Sequence, residues 1–314
     1  MTAPALRVRT NAGELVLGPR PLLMGIVNAT PDSFSDAGLE QTLDARVKLA
    51  VTLLEDGADL IDIGGESGVT NRPPVSAQEE IERVVPLIER IAGGLGARVS
   101  VDTYKPAVAE AAIAAGASIV NDVSGLRDPE LADVCARSGA ALVLMHTIAP
   151  PKRKLHDRSL DGRIADDVQR FLGERIELAM GRGVDFEQLI VDPGPDFSKT
   201  PAQTLEVLRA LPELHRLGRP ILLAVSRKDF VGALTGRPPR ARLAGTLAAL
   251  EHGVRAGAHI LRIHDVADAA DFLAVRAALA PGAQVDPALV LSDGLRWAQP
   301  AAGLPLRGSD STAR

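Results

Sequence analysis

The chain has 314 residues, 46% of them hydrophobic and 24% charged, with a formal net charge of -5. That composition fits a globular protein with a full core, and the slight acidity argues against general nucleic-acid binding, which wants a basic face. The longest apolar runs fall short of the roughly 18 to 20 residues of a membrane span, and "MTAPALRVRTNAGELVLG" lacks the apolar core of a signal peptide, so no membrane partner and a cytoplasmic location are expected.

In chain order, "LRVRTNAGELVLG" reads as a hairpin turning near "NAG" and placed to plug the floor of the strand assembly after it. Eight short runs rich in Val, Ile and Leu come next: "LLMGIVN", "LIDIGG", "RVSVDT", "SIVNDVS", "ALVLMH", "LIVDPG", "ILLAVSRK" and "HILRIHD". They are mostly continuous rather than alternating, as strands buried on both faces of a parallel sheet are. Between them lie helical patterns such as "LDARVKLAVTLLEDG", "SAQEEIERVVPLIERIAGG" and "PAVAEAAIAAG". Ser76 and Glu79 have capping-box spacing, and Gly57, Gly93, Gly116 and Gly139 stand where helices end. The alternation predicts an α/β fold, a closed (β/α)8 TIM barrel with the hairpin ahead of its first strand. The rival, an open doubly wound sheet, usually carries G-x-G-x-x-G after its first strand, and "GIVNATPDSF" has none. Residues 1–296 read as one domain and the tail 297–314, rich in Pro, Gly, Ala and Ser, as disordered. The lone Cys135 excludes an internal disulfide framework and is expected to be a buried, inert thiol.

A parallel barrel keeps its active site at the carboxyl ends of its strands. Those ends carry Asn28, Asp62, Glu66, Asp102, Asn121, Asp122, Met145, His146, Asp192, Ser226, Lys228, Arg262 and His264, nearly all polar. Singly, Asp62, Asp122 and Asp265 read equally as caps, and His146 as a structural histidine. Arg262 and His264 alternate on one strand and face the same way, with Lys228 arriving from a neighbouring strand. Three such side chains converging repel one another unless an anion binds, and phosphate or pyrophosphate is the expected anion. A carboxylate beside an amide (Asp102, Asn121, Asp192) suits the donor edge of a nitrogen heterocycle. The basic stretch "PPKRKLHDR" reads as a solvated loop, with anion attraction as the alternative.

The segments "MGIVNATPDSFSDAG", "GADLIDIGGES", "VSVDTYKPAV", "IVNDVSG", "LVLMH", "LIVDPGPDFSKT", "AVSRKDFVG" and "AGAHILRIHDV" make the chain resemble the dihydropteroate synthases of folate biosynthesis. The resemblance implies a transferase that condenses 6-hydroxymethyl-7,8-dihydropterin diphosphate with p-aminobenzoate. It implies that Asp102, Asn121, Met145, Asp192, Lys228 and Arg262 hold the pterin, and that Asn28, Arg262 and His264 take the diphosphate, with Mg2+ near Asn28. It further implies that Ser33, Phe34, Phe197, Ser226 and Lys228 border the aminobenzoate, that Asp36 belongs to a mobile first loop, and that the protein is a homodimer.

The chain departs from that pattern after "GGES", where relatives continue with Thr-Arg-Pro-Gly and this chain has Gly68, Val69, Thr70 and Asn71. Thr70 and Arg72 lie slightly downstream, ahead of Pro73 and Pro74. The favoured reading keeps both as catalytic residues, delivered by another backbone path. Alternatively the loop reshapes the aminobenzoate subsite and weakens sulfonamide binding, or the chain is a paralogue with little synthase activity. Pro195 and Asp196 ahead of Phe197 are a second departure, placing a proline and a carboxylate beside the site. Two rivals stay open: a methyltetrahydrofolate-dependent methyltransferase of the same superfamily, which has no diphosphate to bind, and a pterin-binding module without turnover.

Overall fold

The computed structural model describes residues 6–30, 43–67, 73–153 and 155–296. Two compact units divide the chain, Met1–Leu273 and Ala274–Arg314. In the first, β1 (Leu6–Thr10) and β2 (Gly13–Leu17) pair antiparallel across Asn11 and Ala12, the expected hairpin. Eight parallel strands come after it: β3 (Leu22–Asn28), β4 (Leu60–Gly64), β5 (Val99–Asp102), β6 (Ile119–Asp122), β7 (Ala141–Met145), β8 (Leu189–Asp192), β9 (Leu222–Leu223) and β10 (Ile260–Ile263). Their order is β8-β7-β6-β5-β4-β3-β10-β9, and the ends meet through a parallel bridge between Val191 and Ile221, where the Val191 N–H donates to the Pro220 carbonyl at 2.9 Å. The sheet is therefore a closed barrel, and the open-sheet rival falls.

The helices are α1 (Leu43–Glu55), α2 (Ala77–Ile88), α3 (Pro106–Ala114), α4 (Glu130–Ser138), α5 (Ile164–Gly181), α6 (Pro201–Arg209), α7 (Asp229–Thr235), α8 (Leu243–Arg255) and α9 (Val266–Ala278). Strand side chains point alternately out and in, which splits the core in two. Ile61, Val101, Val120, Leu142, Val191 and Leu261 pack outward with the helices. Met24, Leu60, Ile119, Val143, Ile190, Leu222 and Ile260 fill the barrel interior, and Val8, Leu15 and Leu17 of the hairpin belong to that same cluster. The hairpin thus closes the barrel floor with apolar surface.

Two local expectations change. Ser76 accepts from the Glu79 N–H at 3.2 Å, but the Glu79 carboxylate pairs with Arg83, so only half of the capping box forms. Gly57, Gly116 and Gly139 are left-handed as expected, whereas Gly93 lies inside a π-helical turn, Glu89–Gly94, and Gly96 takes the positive φ. In the second unit, residues 279–292 are exposed throughout. The expected tail, 297–314, lies outside the described residues. No helix among the described residues is long and apolar enough to cross a membrane.

Candidate active site

On the strands that build the floor, the next inward-facing positions are polar. Leu60 gives way to Asp62, Ile119 to Asn121, Ile190 to Asp192 and Ile260 to Arg262. Asp62 is fully buried and organises this layer: the Arg262 Nε donates to it at 2.6 Å and the Asn121 amide at 3.3 Å. The second arm of Arg262 donates to Asp102 at 2.9 Å. Asp192 accepts from the Gly194 N–H at 2.7 Å and sits in register with Met145. Lys228 holds its ammonium 4.2 Å from the centre of the Phe197 ring, a cation–π contact, and Ser226 Oγ lies 2.9 Å from His264 Nδ1. Asn28 ends β3 in register with Gly64, which is itself in register with Asp102. Above these residues opens a cavity of about 380 Å3, whose lining includes Glu66, Asp102, Lys152, Phe197, Arg227 and Lys228.

Burial sets the protonation of this layer. It pushes the Asp102 carboxyl up to about 7 against the pull of Arg262, and Asp192 up to about 6 against its hydrogen bond from Gly194 and the charge of Lys228. It lowers Lys228, opposed by Asp196 and Asp192. It takes His264 down to about 3, helped by the Arg227 and Arg262 charges, so the imidazole is neutral. The expected mutual repulsion of cations is offset rather than left for an anion: Arg262 is held by two carboxylates, Lys228 faces Asp196 and Asp192 as well as Arg262, and His264 carries no charge. The site is an electrically balanced donor and acceptor array before any ligand arrives.

The structure gathers Asn28, Asp102, Asn121, Met145, Asp192, Phe197, Ser226, Lys228, Arg262 and His264 at the rim. Ser33, Phe34, Asp36, Thr70 and Arg72 lie outside the described residues. Two strand-end groups, His146 and Asp122, turn out to be structural. His146 is fully buried, bonded to Asp167 at 3.1 Å and set edge-on to Phe171. Asp122 points outward and accepts from the Ser124 and Leu126 N–H groups at 2.7 and 2.5 Å, closing a turn. Asp196 lines the cavity, as expected, and its carboxylate accepts from the Phe230 N–H at 3.1 Å and the Thr204 hydroxyl at 3.0 Å. The basic stretch is not simply solvated: Lys152 is half-buried, 3.3 Å from Glu66, and donates to the Ser67 carbonyl. Cys135 is buried, and burial pushes its thiol up to about 12, as an inert thiol requires.

Two features escaped sequence reading. Glu66 meets Lys105 at 2.5 Å and the Tyr104 hydroxyl at 3.1 Å, and Lys105 also reaches the buried Glu80 at 2.5 Å. Gly65 permits this, because a Cβ there would lie 2.7 Å from Glu80 Cγ and 2.8 Å from Val84 Cγ1. The other is Lys199, which is only 3% exposed. Period-two alternation could have shown that Asp62, already named as a strand end, faces inward; no sequence pattern marks a lysine in a loop as buried.

A closed parallel barrel whose inner rim sets two carboxylates and an amide beside an arginine and a lysine defines an enzyme class that grips a polar nitrogen heterocycle at its mouth. The pattern of the family described as pterin binding enzyme matches residues 24–264. Over 260 residues the chain is 43% identical to the dihydropteroate synthase of Bacillus subtilis strain 168, covering 82% of this chain and 88% of that one. The solved structure of Xanthomonas albilineans dihydropteroate synthase with 4-aminobenzoic acid matches with a TM-score of 0.80 at 44% identity, over 88% of this chain and 100% of that one. The Yersinia pestis dihydropteroate synthase in a sulfonamide drug complex also gives 0.80, at 38% identity over 86% and 97% of the two chains. The chain belongs to the dihydropteroate synthase family, transferases of folate biosynthesis.

Proposed function

We propose that this chain condenses 6-hydroxymethyl-7,8-dihydropterin diphosphate with p-aminobenzoate, giving 7,8-dihydropteroate and pyrophosphate. The observation that carries the proposal is the network in which Arg262 joins Asp62 to Asp102 and Asn121 reaches Asp62, with Asp192 near the Arg262 and Lys228 charges and Lys228 beside the Phe197 ring. Asp192, Asp102 and Asn121 take the donor edge of the pterin, Met145 lines its pocket, and the Arg262 plane, fixed by two carboxylates, covers its ring. Such a ring is held against one face of the barrel, so its methylene points toward the cavity and toward Phe197.

The aromatic amine attacks that methylene carbon. As the C–N bond forms, the C–O bond to the diphosphate breaks with its electron pair, and the amine gives up a proton to solvent. A weak nucleophile needs a good leaving group, so catalysis rests on stabilising charge as it shifts to the departing oxygens. Ser226 and His264 stand at the ends of the seventh and eighth barrel strands, where phosphate sites form in this architecture. Neutral His264 acts there as a hydrogen-bonding group rather than as a cation. Phe197, Ser226 and Lys228, with Ser33 and Phe34, border the aminobenzoate.

Mg2+ fits this scheme as an ion shared with the substrate. No three acidic or imidazole groups among the described residues form a protein cage, and Asn28 offers one hard amide oxygen at the rim. Mg2+ commonly takes such a donor together with substrate phosphates and water, and when bound it neutralises charge on the leaving diphosphate.

The homodimer is supported by an apolar groove of about 400 Å3 over α6, α7 and α8, lined by Leu208, Phe230, Val231, Leu234 and Ala249, with Leu234 63% exposed. Sedimentation of the protein and of Leu234→Arg tests it: a dimer that the arginine splits supports pairing there. The single free thiol fits a cytoplasmic place for the reaction. The alternative for the altered segment after Ser67, a reshaped aminobenzoate subsite, predicts weaker sulfonamide inhibition, read from the inhibitor concentration that halves turnover.

The deciding experiment is pyrophosphate release from the pterin diphosphate, with and without p-aminobenzoate, on wild type and Arg72→Ala. Release that depends on aminobenzoate supports the synthase. Pterin binding without release leaves a binding module, and methyl transfer to a corrinoid protein without pyrophosphate leaves the methyltransferase. Unchanged turnover in Arg72→Ala removes Arg72 from the catalytic set.

A further inference from the structure

The loop from Gly194 to Lys199 carries Phe197, and its backbone is costly. Gly194, Asp196 and Ser198 adopt φ values of +64°, +63° and +53°, so two non-glycine residues stand in the left-handed region within three positions. Each such residue costs on the order of 1 kcal/mol or more and persists only where surroundings impose it. The loop also lies hard against the end of β7, since a Cβ on Gly194 would come 2.1 Å from the His146 carbonyl oxygen.

What lies inside the loop is the Lys199 side-chain nitrogen, which burial lowers to about 7 and whose protonated form the surrounding carbonyls favour. Lys199 Nζ donates to the carbonyls of Gly194 at 2.8 Å, Phe197 at 3.3 Å and His146 at 3.3 Å. An ammonium has three N–H donors, and these carbonyls use all of them. Two belong to the loop and one to His146, the residue that follows β7, so the group ties the loop to the barrel wall. Burial of a charge demands compensation, and the charges facing this one come from every side: Asp192 of β8, Asp167 of α5, Asp196 of the loop and Lys228 beyond β9.

We propose that Lys199 is a positioning residue for the aminobenzoate subsite: its ammonium gathers the three carbonyls that fold this loop and so holds the Phe197 ring against Lys228. Lys199 touches neither substrate in this arrangement. It acts through Phe197, whose ring forms one wall of the second-substrate pocket and lies 4.2 Å from the Lys228 ammonium. The inference rests on the synthase reading for the identity of that second substrate.

The test replaces Lys199 by methionine, which keeps the stem and removes the donors, and by alanine. In steady-state pyrophosphate release, Lys199→Met is expected to raise KM for p-aminobenzoate tenfold or more and to leave the affinity for the pterin diphosphate within about twofold. In Phe197→Ala, the same substitution is expected to raise KM no further, because the two residues act through one wall. Lys199→Ala is expected to recover part of its aminobenzoate KM when n-propylammonium is added, which restores the donors without the chain. Equal loss of both substrates, additive effects in the double variant, or failure to fold makes Lys199 a purely structural residue and overturns the proposal. If wild type releases no pyrophosphate at all, the synthase reading fails separately. Amide hydrogen exchange then still judges the clamp: Lys199→Met must lose protection over residues 193–199 alone, and unchanged or global loss overturns it.

Discussion

The floor and the rim of this barrel are written on the same strands, two residues apart, and they do opposite work. At the floor, Leu60, Ile119, Ile190 and Ile260 form one apolar cluster with Val8, Leu15 and Leu17. At the rim, Asp62, Asn121, Asp192 and Arg262 face the same space and satisfy one another only in part. Substitutions at the floor should therefore move stability and spare the substrates. Those at the rim should move the substrates, and stability only where a buried charge loses its partner.

Arg262 is the rim position where both effects combine, so it gives the largest change. Arg262→Ala removes the group covering the pterin and leaves Asp62 buried without its strongest donor. We expect kcat/KM to fall by about 10²–10³-fold and unfolding stability to fall by about 3–5 kcal/mol, read by pyrophosphate release and by denaturant titration. Intact stability in this variant would show that the Asn121 amide alone suffices to satisfy Asp62. Met24→Ala is the floor counterpart. It is expected to lower stability by about 2–5 kcal/mol through the cavity it leaves, with both KM values unchanged. A change in pterin KM would mean that floor and rim are coupled through the barrel.

These two regions were not equally legible. Continuous apolar runs announced eight buried strands, and alternation along "HILRIHD" put Arg262 and His264 on one side. The gathering of Asp102, Asn121, Asp192 and Lys228 came from the barrel's own rule that strand ends converge. Which charges cancel was not readable, because pairing is a matter of ångströms between strands far apart in sequence. Arg262 reads as a spare cation in "RIH", and only the fold shows Asp62 and Asp102 on its two arms. Asp196 lines the cavity as its place before Phe197 suggested, but its hold on Phe230 and Thr204 was not readable for a related reason.

Acid sharpens the contrast further, since the floor has nothing to titrate. Asp192 must be charged to accept from the heterocycle, and burial has raised it to about 6 in the free protein. Above that pH the carboxylate is ready. As pH falls through 6 the proton competes with the ligand, so pterin affinity should drop about tenfold per pH unit, with an earlier onset near 7 from Asp102. Calorimetric titration of a pterin across pH 5 to 8 reads this, and Asp192→Asn should abolish the part of the slope below 6. A flat profile in wild type would place the donor edge of the ring elsewhere.

The smallest expected effect separates the rim from the loop above it. Asp196 holds that loop from outside, through Phe230 and Thr204, whereas the Lys199 ammonium holds it from inside. Asp196→Ala leaves the Phe230 N–H without its acceptor, a loss of about 1–3 kcal/mol. Most of that cost falls on stability, because the Lys199 ammonium still gathers its three carbonyls in the variant. If about 1 kcal/mol of it is spent loosening the loop, KM for p-aminobenzoate rises about fivefold while the pterin affinity stays put. A rise as large as that of Lys199→Met would mean that the outer carboxylate, rather than the inner ammonium, sets the position of Phe197.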